Sequence, residues 1–267
     1  MSDRITSRNI DEVIRKNREI KDEIDSDCAI IKAQYNQRNV SSIALLSIHL
    51  LRKYGLIMMP VDNPYFGGAI YVKDEKKIPF VNTAQPRANQ YFTAWHEVYH
   101  LMFDRISFDH VISVEATLEE RKAEYFAACM LLGNLFTYYS NLPTEMDFIS
   151  KICYCMDVFQ APYKAVMISL YEAAINSGNK ELQQMVLTHF DAPVEHLAEK
   201  FEQIGLDKSL VCPSYVVNLS MVESKVREAV HQNDELTYHK DNLQFLEKVK
   251  KEIILVTGDE NGEHTGI

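Results

Sequence analysis

No apolar stretch in the chain approaches the length of a membrane helix, and the first residues, MSDRITSRNIDEVIRKNREIKDE, lack a signal-peptide core. A cytoplasmic protein is the expectation. Internal repeats and low-complexity tracts are missing too, which excludes a repeat architecture. Basic charge is in deficit: 28 Lys and Arg stand against 38 Asp and Glu, a net charge of −10. Phosphate attraction requires a basic surface, so the charge argues against a general nucleic-acid binder, although a local basic patch is compatible with it. The five cysteines, Cys28, Cys129, Cys153, Cys155 and Cys212, are odd in number and follow no framework spacing, so reduced thiols are expected. Cys153 and Cys155 face different sides of a helix and read as core packing. The 267 residues, 46 % of them hydrophobic, suffice for one catalytic domain of ordinary size with small appendages.

The chemistry lies in His96-Glu97-Val98-Tyr99-His100. On a helix His96 and His100 are one turn apart on one face, so both ring nitrogens can reach one cation. Glu97 is rotated by about 100° from His96, beside the metal, where a general base belongs. Phe92, Ala94, Trp95, Val98, Tyr99, Leu101, Met102 and Phe103 cover most of the circumference, which predicts a buried helix. Its polar arc is Asn89, Gln90, Thr93, His96, Glu97 and His100, little more than the candidate site itself.

A hydrolytic zinc site needs a third protein ligand. A second predicted helix opens at Leu118 and stops at Gly133, and Glu120, Glu124, Ala127 and Leu131 share one face, which predicts an inward stripe. Thr117 with Glu120 also forms a capping-box pattern. Helix geometry alone leaves Glu119, Glu120 and Glu124 unseparated as ligands.

Several runs in order carry a resemblance: Phe66-Gly67-Gly68-Ala69-Ile70-Tyr71, then Ile78-Pro79-Phe80-Val81-Asn82, then Gln90-Tyr91-Phe92-Thr93-Ala94-Trp95 leading into the His-Glu motif. Glu120, Ala123, Glu124, Phe126, Ala127 and Met130-Leu131-Leu132 follow. Over residues 40–178 the chain resembles the ImmA/IrrE family of metallopeptidases. The resemblance implies one zinc ion held by His96, His100 and Glu120, with Glu97 as catalytic base, Glu124 holding a ligand histidine from the outer shell and Glu119 as the alternative third ligand. Val98-Tyr99, Glu124 and Gly133-Asn134 depart from the residues common in that family.

The fold expected is α+β and mostly helical: a zincin-like core with a small, about three-stranded sheet packed on the motif helix, followed by helical extensions. Amphipathic N-terminal helices are expected over 1–39, the peptidase core over 40–140, a helix-turn-helix-like extension over 141–178, a helical appendage over 179–256 and a disordered polar tail over 257–267. Strands are predicted near 56–60, 68–72 and 78–82, with a turn at 74–77, and C-terminal helices at 182–190, 194–204, 216–230 and 236–255. The extension's only basic residues are Lys151 and Lys164, so direct nucleic-acid binding is not expected of it. Tyr99, Tyr125, Tyr138 and Tyr139 are candidate donors to an oxyanion.

The implied function is a zinc-dependent endopeptidase whose protein substrate is a helix-turn-helix transcriptional repressor, cut to switch on a prophage, mobile element or stress regulon. Two rivals are a non-hydrolytic zinc-binding regulator of a repressor and the toxin-like partner of a DNA-binding antitoxin.

Overall fold

The computed structural model describes residues 5–35, 42–73, 76–104, 114–192, 194–233 and 235–258, with side chains of 114–117 excepted. The fold is mostly helical α+β with a three-stranded mixed sheet. No helix among the described residues is long and apolar enough to cross a membrane.

The N-terminal segment is one helix, α1 (Ile10–Tyr35). Ile10, Ile14, Asn17, Ile20, Ile24, Cys28 and Ile31 recur every three or four residues, and this stripe is buried. Asp11 and Glu12 complement its N-terminal dipole. Helix α2 (Ile43–Arg52) starts where the Ser42 hydroxyl accepts from Leu45 N at 3.3 Å. It ends ahead of Gly55, whose φ of +80° suits a residue without a Cβ.

The strands are β1 (Ile57–Met59), β2 (Gly68–Lys73) and β3 (Lys76–Asn82), ordered β1-β3-β2. β1 runs parallel to β3 and β2 antiparallel, with Lys73 opposite Lys76. Lys76 and Lys77 therefore belong to β3 instead of the predicted turn, whose remaining residues, 74 and 75, lie outside the described ones. Pairing with β2 recruits both lysines, since their backbone groups complete the ladder. Asn82, fully buried, ties down the loop before β2. Its amide donates to Val61 O at 3.0 Å and Phe66 O at 2.8 Å, and its carbonyl accepts from Val61 N at 2.8 Å and Ala84 N at 3.0 Å.

Helix α3 (Arg87–Met102) carries the motif and packs on α2, on β2 and β3, and on α4 (Val114–Leu131). Trp95 is fully buried and donates to Ile43 O at 3.1 Å. Because α4 begins at Val114, Thr117 lies inside it and not at its N-cap, which removes the capping-box reading. Helices α5 (Leu135–Asn141), α6 (Phe148–Phe159), α7 (Tyr163–Ser177) and α8 (Lys180–Phe190) follow. Cys153 and Cys155 on α6 are both fully buried. Lys164 donates to Phe190 O at 2.6 Å and Lys151 lies over the Tyr139 ring, so both lysines of the α6–α7 pair serve intramolecular contacts.

Helix α9 is shorter than expected, Leu197–Gln203, since His196 at φ 53° breaks the helical path ahead of it. The helix predicted over 216–230 is also corrected: α10 spans Ser220–Gln232, and the residues before it follow an irregular path, with Tyr215 at φ 50°. Pro213 bridges to Pro86, and Tyr215 N donates to Thr83 O at 3.1 Å. Asn218 then fills the outer edge of β1. Its backbone N–H donates to Met58 O at 3.0 Å, its side chain donates to Leu56 O at 2.9 Å and accepts from Met58 N at 2.5 Å. An unpaired strand edge must be satisfied, and this demand outweighs helical periodicity over 216–219. Helix α11 (Thr237–Thr257) pairs with α10 and leaves Tyr238, Phe245 and Leu255 exposed. The predicted tail lies outside the described residues past Gly258.

Asn218→Ala removes both side-chain bonds to β1 and strands a backbone N–H. Urea unfolding is expected to show a loss of about 1–3 kcal/mol, with faster hydrogen exchange at Met58; unchanged stability and exchange would contradict the edge-capping role.

Candidate metal centre

Trp95 and Tyr99 turn the apolar side of α3 into the core, with relative exposures of 0 % and 1 %. Each is followed directly by a motif histidine, so His96 and His100 emerge about 100° further round, toward α4. There the structure brings together His96, His100 and Glu120. His96 Nε2 lies 3.1 Å from His100 Nε2 and 3.2 Å from Glu120 Oε2, and His100 Nε2 lies 3.5 Å from Glu120 Oε1. Tetrahedral donors at zinc distances stand roughly 3.3 Å apart, so the spacing already suits a cation. Two imidazole nitrogens and one carboxylate are also the donor set that zinc takes in hydrolytic sites.

The charges fit the same reading. Burial acts to lower the pKa of His96, but the hydrogen bond to Glu120 and the negative charges of Glu97, Glu120 and Glu124 outweigh it and raise it. His100 is pushed down by burial and by His96, against the pull of Asp104. Glu120 is held below its ordinary value by the hydrogen bond with His96. Glu97, 4 % exposed, is raised to about 7 by burial, with His96 opposing and Glu120 adding to the shift.

Glu97 is buried because the sheet comes down on it. A Cβ at Gly68 would stand 2.6 Å from Phe80 O, 2.6 Å from Thr93 Cγ2 and 3.1 Å from Glu97 Oε1. A Cβ at Gly67 would meet Thr93 Oγ1 at 2.7 Å. Only glycine permits this approach, which sets the start of β2 over the Glu97 carboxylate.

The remaining candidates separate. Glu119 accepts from Tyr99 OH at 3.1 Å and from Lys122 at 3.1 Å, and Lys122 reaches on to Glu23 of α1 at 2.8 Å. Glu119 is thereby drawn toward α1, and Glu120 is the carboxylate at the histidines. Ala127 and Leu131 are buried as the stripe predicted, but Glu120 and Glu124 are exposed. Charge stays at the solvent edge of the cleft because burying it without a partner is costly. Glu124 is close enough to His96 to add to its field. Besides Glu120 on His96, Asp104 is bonded to a motif histidine, its Oδ2 3.0 Å from His100 Nδ1. Its signal in the sequence is the four-residue spacing after His100. The hydroxyls of Tyr99 and Tyr125 donate to Glu119 and Glu172, each at 3.1 Å, and the rings of Tyr138 and Tyr139 pack against Phe159 and Phe148.

No protein-family model, curated protein or solved structure matches the chain significantly.

The geometry separates two neighbouring acids by experiment. Glu120→Ala should weaken zinc binding at least about 100-fold in calorimetric titration, since it removes a ligand, whereas Glu119→Ala should leave the stoichiometry at one. The reverse pattern would overturn the ligand set.

Proposed function

We propose that the chain is a zinc-dependent endopeptidase acting in the cytoplasm. The observation that carries this reading is the convergence of His96, His100 and Glu120 beside a buried Glu97 whose carboxyl is raised to about 7. A zinc ion, which His96, His100 and Glu120 would hold, would supply a Lewis acid for the peptide carbonyl and the attacking water. Glu97 is the base that accepts the water's proton and returns it to the leaving amine, which suits a group poised near neutrality.

The sheet supports a peptide as substrate. Among the described residues β2 is an edge strand, paired to β3 on one side, and its first residue lies over Glu97. An extended segment adding to its outer edge is carried past Gly68 toward the site. At the opposite edge Asn218 already occupies the groups of β1, so β2 is the edge that a substrate strand can use.

The substrate class comes from the resemblance of residues 40–178 to ImmA/IrrE peptidases: a helix-turn-helix repressor whose cleavage switches on a prophage, mobile element or stress regulon. Glu97→Gln keeps the shape of the side chain and removes the base. Zinc content should be retained and cleavage of the cognate repressor should fall by about 10²–10⁴-fold, read by gel and mass spectrometry. If wild type cuts nothing while Glu97→Gln still regulates the target promoter, the non-hydrolytic reading replaces this one.

A further inference from the structure

Asp104 is an acid at an unfavourable place on its helix. Helix α3 ends at Met102 with Phe103 as C-cap, and a helix C-terminus is the negative end of the macrodipole, which disfavours a carboxylate. The chain nevertheless holds Asp104 firmly. Its N–H donates to Tyr99 O at 3.3 Å, beside that of Phe103 at 2.9 Å, and Tyr99 is itself packed in the core. The Asp104 side chain is 16 % exposed, and its Oδ2 sits 3.0 Å from His100 Nδ1.

We propose that Asp104 is a positioning residue for the metal centre, fixing the tautomer and the ring orientation of His100. A carboxylate can only accept, so Nδ1 carries the proton in this contact. A neutral imidazole has one N–H, and the Nε2 lone pair is then left facing His96 and Glu120, the arrangement a cation requires. The i, i+4 spacing permits the contact within the last turn of α3, because Phe103 and Asp104 both fold back onto Tyr99. Glu124 does not substitute for it: it is exposed on α4 and its influence falls on His96. The proposal rests on the reading of His96, His100 and Glu120 as ligands.

The test uses the full chain in wild-type, Asp104→Ala and Asp104→Asn forms, with a melting curve on each to establish folding. Nitrogen NMR of the metal-free protein reads the His100 tautomer, and competition with a chelator reads zinc affinity. Wild type should show the Nδ1–H form. Asp104→Ala should shift His100 toward Nε2–H and weaken zinc by about 10–100-fold, and Asp104→Asn, the isosteric variant, should move both readouts in the same direction by less. Folded variants with the wild-type tautomer and zinc affinity within about twofold of wild type overturn the proposal and leave the metal centre standing. Failure of wild type to bind zinc overturns the metal centre, and the proposal with it.

Discussion

The packing of α3 on α4 is the constraint from which the site follows. Phe126 of α4 meets Trp95, Tyr99 and Phe103 at centroid distances of 6.0, 5.5 and 5.6 Å. Ala94, Ala123 and Ala127 are fully buried, and their small side chains let the helices approach. Three aromatic contacts spaced along α3 fix its rotation and its height against α4. Because His96 and His100 each follow one of these aromatics, the core packing also aims the imidazoles. Glu120, six residues before Phe126, is then brought opposite them. Dispersion and apolar burial thus position a polar site that could not hold itself together, since its acids repel one another and lose hydration.

The sheet provides the second half of the environment. Asn82 stitches the loop at 61–66 from inside the core, and that loop delivers Gly67 and Gly68 onto α3. The result is a carboxylate deprived of water beside groups that remain wet, with Glu97 4 % exposed and the Glu120 side chain 61 % exposed. Environment sets different roles for acids only a helix apart. Glu120 stays ionised on His96, while Glu97 is poised to exchange a proton.

The sequence was most legible where side-chain periodicity and burial coincide. The isoleucine stripe of α1, the aromatic wrapping of α3 and the three strand cores are readable from spacing, because each buries one continuous face. So is the pairing of His96 with His100, which helix geometry enforces. Helix geometry did not separate Glu119 from Glu120, and Glu120 was favoured by the resemblance alone, since the separation depends on Lys122 and Glu23 drawing Glu119 toward another helix. Asp104 was missed for a related reason: its role arises from the way the chain leaves α3, not from a helical face. The irregular segment ahead of α10 was misread because 216–219 is apolar enough to continue a helix, whereas the open edge of β1 claims Asn218. Long-range demands of this kind leave no local pattern.

The central claim is that two imidazoles and one carboxylate hold a single ion with room for a water. X-ray absorption at the zinc K edge of the zinc-loaded protein tests it most directly. The account predicts nitrogen and oxygen neighbours alone, at about 2.0–2.2 Å, with scattering from two imidazole rings and a fourth light ligand. A sulfur neighbour at about 2.3 Å, or a single imidazole in the first shell, would contradict it.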